Sequence, residues 1–378
     1  MGFTTGPVIR DTTDAAPRPH GYRAAVIGTG FMGRVHSHAV RAAGGTVVGV
    51  AGSSPSKAEE AAVRTGAERA FADPDTLIAD PNVDVVHVCT PNHLHEDFSV
   101  RALAAGKHVV CEKPLTTDTA SAERMERAAA DSGRITAVPF VYRFHPMVRE
   151  ARALVRRGGL GRLVLAHGGY FQDWLLRPSE SNWRVDPSIG GPLRAFGDIG
   201  SHFCDLLEFV SGHRIRSLNA QTSRINDHRG EGEEAVTTED LVTLQYVTDH
   251  GLVGTAVISQ VSAGRKNRLL LEISGAEATL SFDQEQPELL WIGQEAQNTV
   301  RMRDPATLSP DAARLAHVPS GHPQGYQDCF NNFAADVDAA TRGTAPEGLP
   351  TFADGLRGAR IADAVLASAT ENTWVDVP

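Results

Sequence analysis

The chain has 378 residues, 41% hydrophobic and 22% charged, with a formal net charge of −10. That is material for two domains with sizeable cores, and an acidic chain without a basic stripe argues against nucleic acid or anionic membrane as partners. It has no apolar run of about 18 residues, the length a bilayer-spanning helix needs.

The opening stretch MGFTTGPVIRDTTDAAPRPH lacks a signal-type apolar core and is rich in Thr, Pro and Asp, so 1–20 is expected to be a loose tail. From 21 to 143 strands and helices alternate. RAAVIG (23–28) predicts a strand and 31–43 a helix; TVVGVAG (46–52) and 55–65 repeat the pair. VDVVHVCT (83–90) precedes a helix near 93–105, and HVVCE (108–112) precedes one near 119–132, before ITAVPFV (135–141). Apolar strands separated by helices of this length predict a parallel, doubly wound sheet of the Rossmann kind.

The first strand–helix junction carries Gly28-x-Gly30-x-x-Gly33, in the loop Gly28, Thr29, Gly30, Phe31, Met32, Gly33. In that context the three glycines serve a tight turn, close approach of a pyrophosphate and helix–strand packing, with phosphates on the helix N-terminus. At the end of the second strand a site for NAD usually places a carboxylate on the adenosine ribose. This chain has Ser53 and Ser54 there, with Lys57 one turn later. The serines also suit a helix cap. The missing carboxylate leans the reading towards NADP, with NAD retained. Thr90, Pro91, Asn92 and His95 end the third strand, where an open sheet binds its dinucleotide. His93 and His95 read as hydrogen-bonding or helix-start residues, not as a metal pair.

HVVCEKPL (108–115) ends the fourth strand at the same crevice, which places Glu112, Lys113 and Pro114 beside the nicotinamide. A lysine there stabilises an alkoxide-like oxygen as hydride leaves carbon. The proline suits a turn that aims it, with a cis Lys113–Pro114 bond.

From 144 to 378 strands dominate: 162–171, 214–223, 240–248, 251–262, 267–275 and 277–283, with little helix between them. TDHG (248–251) and SGAEA (274–278) read as hairpin turns, so this sheet is expected to be antiparallel. One long helix over 194–210 interrupts it, and helices near 325–342 and 352–370 close the chain. Arg152, Arg156, Arg157 and Arg162 read as a solvated helix face, and EGEE (231–234) as a loop.

The 194–210 helix carries Asp198 and His202, four apart and so on one face. A histidine there shuttles a proton near neutral pH and a carboxylate orients it. With Asp205 the three could also be a metal trio, but zinc prefers more His or Cys and nicotinamide chemistry needs no metal. Arg143 and His145, after the last Rossmann strand, are cleft candidates. Tyr170, Gln172, Asp173, Trp174, Trp183 and Arg184 are the residue types that line a sugar site. The cysteines Cys89, Cys111, Cys204 and Cys329 form no CxxC pair, and a reducing cytoplasm is the simplest setting.

Together these motifs resemble the Gfo/Idh/MocA oxidoreductases, a family named for glucose–fructose oxidoreductase, inositol dehydrogenase and a rhizopine-catabolism protein. The likeness runs from about Arg23 to Val377. It rests on GTGFMGRVH, on EKP at Glu112–Pro114, on Asp198-x3-His202 and on the closing helix TFADGLRGARIADAVLASA. It implies a Rossmann domain followed by an α/β domain with a large, mainly antiparallel open sheet, through which members form homodimers or homotetramers. It also implies NAD(P)-dependent oxidation or reduction of a sugar, sugar derivative or cyclitol. By this likeness Lys113 and His202 contact the reacting hydroxyl, assisted by Asp198. Two other readings share the fold: a non-catalytic dinucleotide-binding regulator, and a lyase or isomerase that recycles bound NAD.

Overall fold

A computed structural model describes residues 21–230 and 234–378; the expected tail (1–20) and most of the EGEE segment lie outside the described residues. The first sheet has six parallel strands in the order β3-β2-β1-β4-β5-β6. These are β1 Arg23–Ile27, β2 Thr46–Ala51, β3 Arg69–Ala70, β4 Val85–Val88, β5 His108–Cys111 and β6 Thr136–Ala137. Helices α1 Phe31–Ala42, α2 Pro55–Thr65, α3 Pro74–Ile78, α4 His95–Ala104 and α5 Thr119–Ser132 make the crossovers. Their ends follow local chemistry. Ser54 caps α2 ahead of Pro55, with left-handed Gly66 closing it; Asp118 caps α5 and Gly133 closes it. The strand order reverses between β1 and β4, and ligands of open α/β sheets bind outside the strand ends at such a point.

Two short elements, β3 and α3, were not visible in the apolar pattern. The run 135–141 yields only the two-residue edge strand β6: Pro139 has no N–H for a ladder, and the chain turns into a 3₁₀ turn at Val141–Phe144.

The second sheet has nine strands in the order β16-β15-β14-β13-β7-β12-β11-β8-β17. In chain order they are β7 Leu163–Phe171, β8 Ile215–Ser223, β11 Leu241–Thr248, β12 Val253–Ser259, β13 Arg268–Gly275, β14 Thr279–Asp283, β15 Leu289–Gly293, β16 Asn298–Met302 and β17 Val375–Asp376; β9 His228–Arg229 and β10 Glu234–Ala235 form a separate small ribbon. The pairing is antiparallel except at the centre, where β12 runs parallel to β7. Strand periodicity carries no information about which distant strands meet, so this pair could not be foreseen.

Helix α6 Pro146–Arg156 precedes the sheet and carries Arg152 and Arg156 of the expected helix face. Pro146 occupies its first turn, and Met147, Val148, Ala151 and Leu154 face the core. Its arginines are not merely solvated, since Arg152 and Arg156 both pair with Glu347. The long helix begins later than expected: α8 spans Ser201–Ser211, after one turn at Pro187–Gly190 (α7) and a π-helical turn at Phe196–Gly200. Such a widened turn re-aims side chains and recurs at functional sites; here it carries Asp198.

Phe203, Leu206 and Leu207 of α8 pack with Ile258, Leu271 and Ile273 of the sheet in one core. After the single turn α9 Pro310–Ala313, helix α10 Tyr326–Thr341 returns to the first unit, where Phe330, Phe333 and Val337 join Val26, Val35 and Val40. Helix α11 Phe352–Glu371 follows, with Phe352 and Ala359 in the core beneath α5, and β17 ends the described chain. Helix α11 touches α5 of the first unit and β8 and α8 of the second, so it joins the two units. Among the described residues no helix is long and apolar enough to cross a membrane.

Candidate active site

The glycine loop is closed below and open above. Gly28 has φ +118°, and a Cβ there would sit 2.3 Å from the Cys89 carbonyl oxygen. At Gly33 a Cβ would lie 2.1 Å from the Gly28 carbonyl oxygen, whereas at Gly30 it would meet nothing within 4 Å. The loop is tied to β2 through Gly28 N–H to the Ala51 carbonyl (2.9 Å). No side chain caps the N-terminus of α1, so the N–H groups of Phe31, Met32 and Gly33 are available to phosphate oxygens. Thr90 Oγ1 is buried at the same rim without a protein partner. An open cradle, free helix N–H groups and an orphan hydroxyl fit a dinucleotide.

Around that cradle the predicted residues divide. Ser53 is exposed, and Lys57 Nζ lies 3.1 Å from its Oγ; Ser54 accepts the Lys57 N–H (3.4 Å) as a cap. Phe31 is exposed at the loop tip. Asn92, after Pro91, donates to the Gly190 carbonyl (2.8 Å) and so links the two units. His95 is spent within the protein: it is buried, with one ring nitrogen 3.0 Å from the Thr90 carbonyl and the other 3.0 Å from that of Pro114. It brackets two strand ends and leaves no ring nitrogen for a ligand. Two neighbours escaped the sequence reading. Arg64 donates to the Thr29 carbonyl (2.8 Å), and the Tyr326 hydroxyl reaches Met32 Sδ (3.9 Å) from α10. Neither carries a local motif.

At the end of β5 the Lys113–Pro114 bond is cis. Lys113 Nζ donates to the Asp198 carbonyl at 2.9 Å and to Asp198 Oδ1 at 3.0 Å. Asp198 is further held by Arg184 Nε (3.2 Å to Oδ1) and by Gln260 Nε2 (2.8 Å to Oδ2). Burial alone would raise the Asp198 pKa, but the Lys113 and Arg184 charges and the lysine hydrogen bond hold it well below the usual carboxylate range. The sequence reading has this carboxylate orienting His202. It instead accepts hydrogen bonds from Lys113 and Gln260 and pairs with the Arg184 guanidinium, and it sits in the π-helical turn Phe196–Gly200 ahead of α8.

His202 lies next to this pair. Burial and the Lys113 charge push its pKa well below the normal imidazole value, partly offset by Asp198. Its Nδ1 is buried and unpartnered. Phe140, Tyr142 and Tyr170 surround the ring, Tyr142 edge-on at 4.9 Å between centroids. Tyr170 bonds to the Tyr142 hydroxyl and to Asn267 Oδ1 (2.6 Å), and Gln172 donates to the same oxygen (2.7 Å). Trp183 sits under the Arg184 guanidinium at 4.3 Å. His145 stacks on Tyr142, and burial pushes its pKa down to about 4.

Two candidates move away from the site. Arg143 is buried against Asp205 and Asp354, over the Phe209 ring, and lines a cavity behind α8. Its guanidinium is occupied by two carboxylates, so it is a strut and not a substrate contact. Asp205 is engaged there as well, so Asp198, His202 and Asp205 do not converge on a metal.

The comparisons agree with this geometry. Residues 22–140 match the model of an oxidoreductase family with an NAD-binding Rossmann fold, and residues 148–281 match the GFO/IDH/MocA C-terminal domain. Levoglucosan dehydrogenase of Pseudarthrobacter phenanthrenivorans is 32% identical over 392 aligned residues, 93% of this chain and 97% of that protein. A structure of levoglucosan dehydrogenase with NADH and levoglucosan superposes with a TM-score of 0.88 at 32% identity, covering 94% of this chain and 99% of that one. An inositol dehydrogenase homologue from Azotobacter vinelandii, complexed with NADH and myo-inositol, gives a TM-score of 0.83 at 27% identity over 95% of this chain and 98% of its own. With both domain models matched in order and the cradle, lysine turn and helix pair in one cleft, the chain belongs to the Gfo/Idh/MocA family of NAD-binding oxidoreductases.

Proposed function

We propose that this protein is an NAD(P)-dependent dehydrogenase that oxidises a secondary hydroxyl of a sugar, sugar derivative or cyclitol, or reduces the matching ketone. The observation that carries the reading is Lys113 Nζ held 3.0 Å from part-buried Asp198, beside a histidine that burial keeps neutral, in the dinucleotide cleft. When bound, the nicotinamide accepts or returns the hydride. Lys113 donates a hydrogen bond to the reacting oxygen and stabilises the negative charge that develops on it. Neutral His202 takes the hydroxyl proton, or gives it back in the reverse direction. Asp198 holds the lysine. Trp183 and Arg184, both part-exposed, supply an apolar face and donors of the kind a polyol needs, while buried Tyr170, with its hydroxyl on Tyr142 and Asn267, braces the His202 ring from within. A panel of sugars, sugar acids and inositols with both cofactors tests the reading: at least one should change the cofactor absorbance. Turnover without net cofactor change would indicate recycled NAD instead.

Cofactor choice turns on residues 53–57. No carboxylate ends β2 to repel a 2′-phosphate, and the Lys57 ammonium at Ser53 supports use of NADP alongside the NADH bound by the relatives. Ser53→Asp should shift the ratio of kcat/KM values towards NAD by roughly ten- to a thousandfold, because the carboxylate accepts from the ribose hydroxyls and repels the phosphate. An unchanged ratio would place Ser53 away from the ribose.

We further propose a homodimer or homotetramer built through the nine-stranded sheet. One face carries α6 and α8. Leu165, Val253 and Val257 stay 39%, 49% and 38% exposed on β7 and β12, an apolar patch of the kind that subunits cover. Light scattering should give at least twice the chain mass, and Val257→Glu should lower it; a parent that is monomeric at micromolar concentration would refute this.

A further inference from the structure

Beneath the lysine turn lies a row of buried polar groups that the mechanism above leaves unused. Glu112 is 5% exposed; its Oε2 accepts the Lys113 backbone N–H at 3.2 Å, and its Oε1 lies 2.8 Å from His36 Nε2. His36 stands on α1, three residues beyond Gly33. Its Nδ1 is 2.8 Å from His87 Nδ1 on β4, and His87 Nε2 is 3.4 Å from the Tyr22 hydroxyl. The far end is pinned by Tyr22 N–H to Asp338 Oδ1 on α10 (3.1 Å). Both histidines are 1% exposed, so each ring nitrogen needs a protein partner.

A contact between two imidazole nitrogens at hydrogen-bond distance requires one N–H and one bare nitrogen. Burial, aided by the neighbouring His36, keeps His87 neutral, and burial keeps the Tyr22 phenol protonated. One assignment leaves no proton stranded. Tyr22 O–H donates to His87 Nε2, His87 Nδ1–H donates to His36 Nδ1, and His36 Nε2–H donates to the Glu112 carboxylate. If His36 were doubly protonated, His87 would donate to Tyr22 and strand the phenol proton. Either way His36 donates to Glu112, and all donors of the preferred row point at the carboxylate beside Lys113.

We propose that His36 is a positioning residue for the catalytic turn: by donating to Glu112 it keeps that carboxylate ionised and fixed, and Glu112 in turn fixes the Lys113 backbone and the reach of Nζ to Asp198. This rests on reading Lys113 as the group that contacts the reacting oxygen. The electrostatic surroundings agree. Burial would raise the Glu112 pKa, but His36 from α1, Lys113 beside it and His95 from α4 hold it below the usual value. The other titratable neighbours, the Cys89 and Cys111 thiols and the Tyr326 phenol, are pushed up and stay neutral. Removing the His36 donor leaves burial less opposed, so the Glu112 pKa rises. Because the ionised form is the one that holds the turn, activity is lost as pH falls through that pKa, and in the variant the loss comes at higher pH.

The test compares His36→Met, His36→Gln and Glu112→Gln with the parent. NADH binding by fluorescence confirms that each variant is folded. In His36→Met the acid limb of the kcat profile should move up by about one unit or more, which is about tenfold in kcat on that limb. Infrared spectra should show a protonated carboxyl band that vanishes when Glu112→Gln is added. His36→Gln, whose amide keeps a donor, should restore kcat to within about threefold. Glu112→Gln alone should lower kcat and abolish the limb. An unmoved limb in a folded His36→Met protein, or a Glu112→Gln protein with parental kcat, overturns the proposal. Failure of the underlying reading looks different: Lys113→Ala would then turn over like the parent. The carboxyl band would still report whether His36 ionises Glu112.

Discussion

Lys113→Ala is expected to lower kcat by about 10²–10⁴, the range for losing one positioned charge or proton partner, while NADH affinity stays within a few-fold of the parent. The proposed phosphate cradle, the glycine loop and the α1 N-terminus, is left alone by this change. The substitution removes the only cation hydrogen-bonded to both the carbonyl and the carboxylate of Asp198 among the described residues. The methyl that replaces it cannot stabilise developing charge on oxygen. Single-turnover kinetics and cofactor fluorescence separate the two effects. A kcat within a factor of a few of the parent would remove Lys113 from the mechanism.

His202→Ala is expected to cost a similar factor, about 10²–10⁴ in kcat, through loss of the proton acceptor. The double variants then report who works with whom. Asp198 is bonded to Lys113 and not to the imidazole, so Asp198→Ala combined with Lys113→Ala should be little worse than Lys113→Ala alone. Asp198→Ala combined with His202→Ala should come nearer to the product of the two losses. The reverse pattern would mean that the carboxylate serves the histidine after all. Rates are read under saturating substrate, and each variant's melting temperature guards against simple unfolding. Asp198 is part-buried and its removal leaves Lys113 and Arg184 without their shared anion; Asp198→Asn is the milder control.

What the sequence made legible was what is written locally. The first sheet followed from strand and helix periods, and the start of α2 also from the cap that Ser54 offers. The glycine loop and the EKP turn announced themselves because backbone approach and a charged strand end leave residue-type signatures. Long-range features did not. The parallel pairing of β7 with β12 depends on which strands meet after folding. The α6 helix was sensed only through its arginines, read as a solvated helix face, and its apolar face at Met147, Val148, Ala151 and Leu154 was passed over. Asp198 was identified, but the hydrogen bonds it accepts come from Lys113 and Gln260, which no helical wheel of 194–210 contains. Arg143 looked like a cleft residue from its position after the Rossmann strands; its two carboxylate partners come from α8 and from 354, far along the chain. His36 sits within the glycine-loop motif but gained a role only when Glu112 and His87 were seen against it.

The central claim is that Lys113 and His202 take a polyol hydroxyl apart beside the nicotinamide, and direct transfer of an isotopic label tests it. A polyol that supports turnover is prepared with deuterium on its reacting carbon and mixed with excess cofactor-loaded protein, parent and Lys113→Ala. The account predicts that the parent moves the deuterium into the reduced cofactor, more slowly than it moves hydrogen. It also predicts that the variant does so about a hundredfold more slowly or worse with the cofactor still bound. Label that never reaches the cofactor, or a variant that transfers it at the parental rate, would contradict the account.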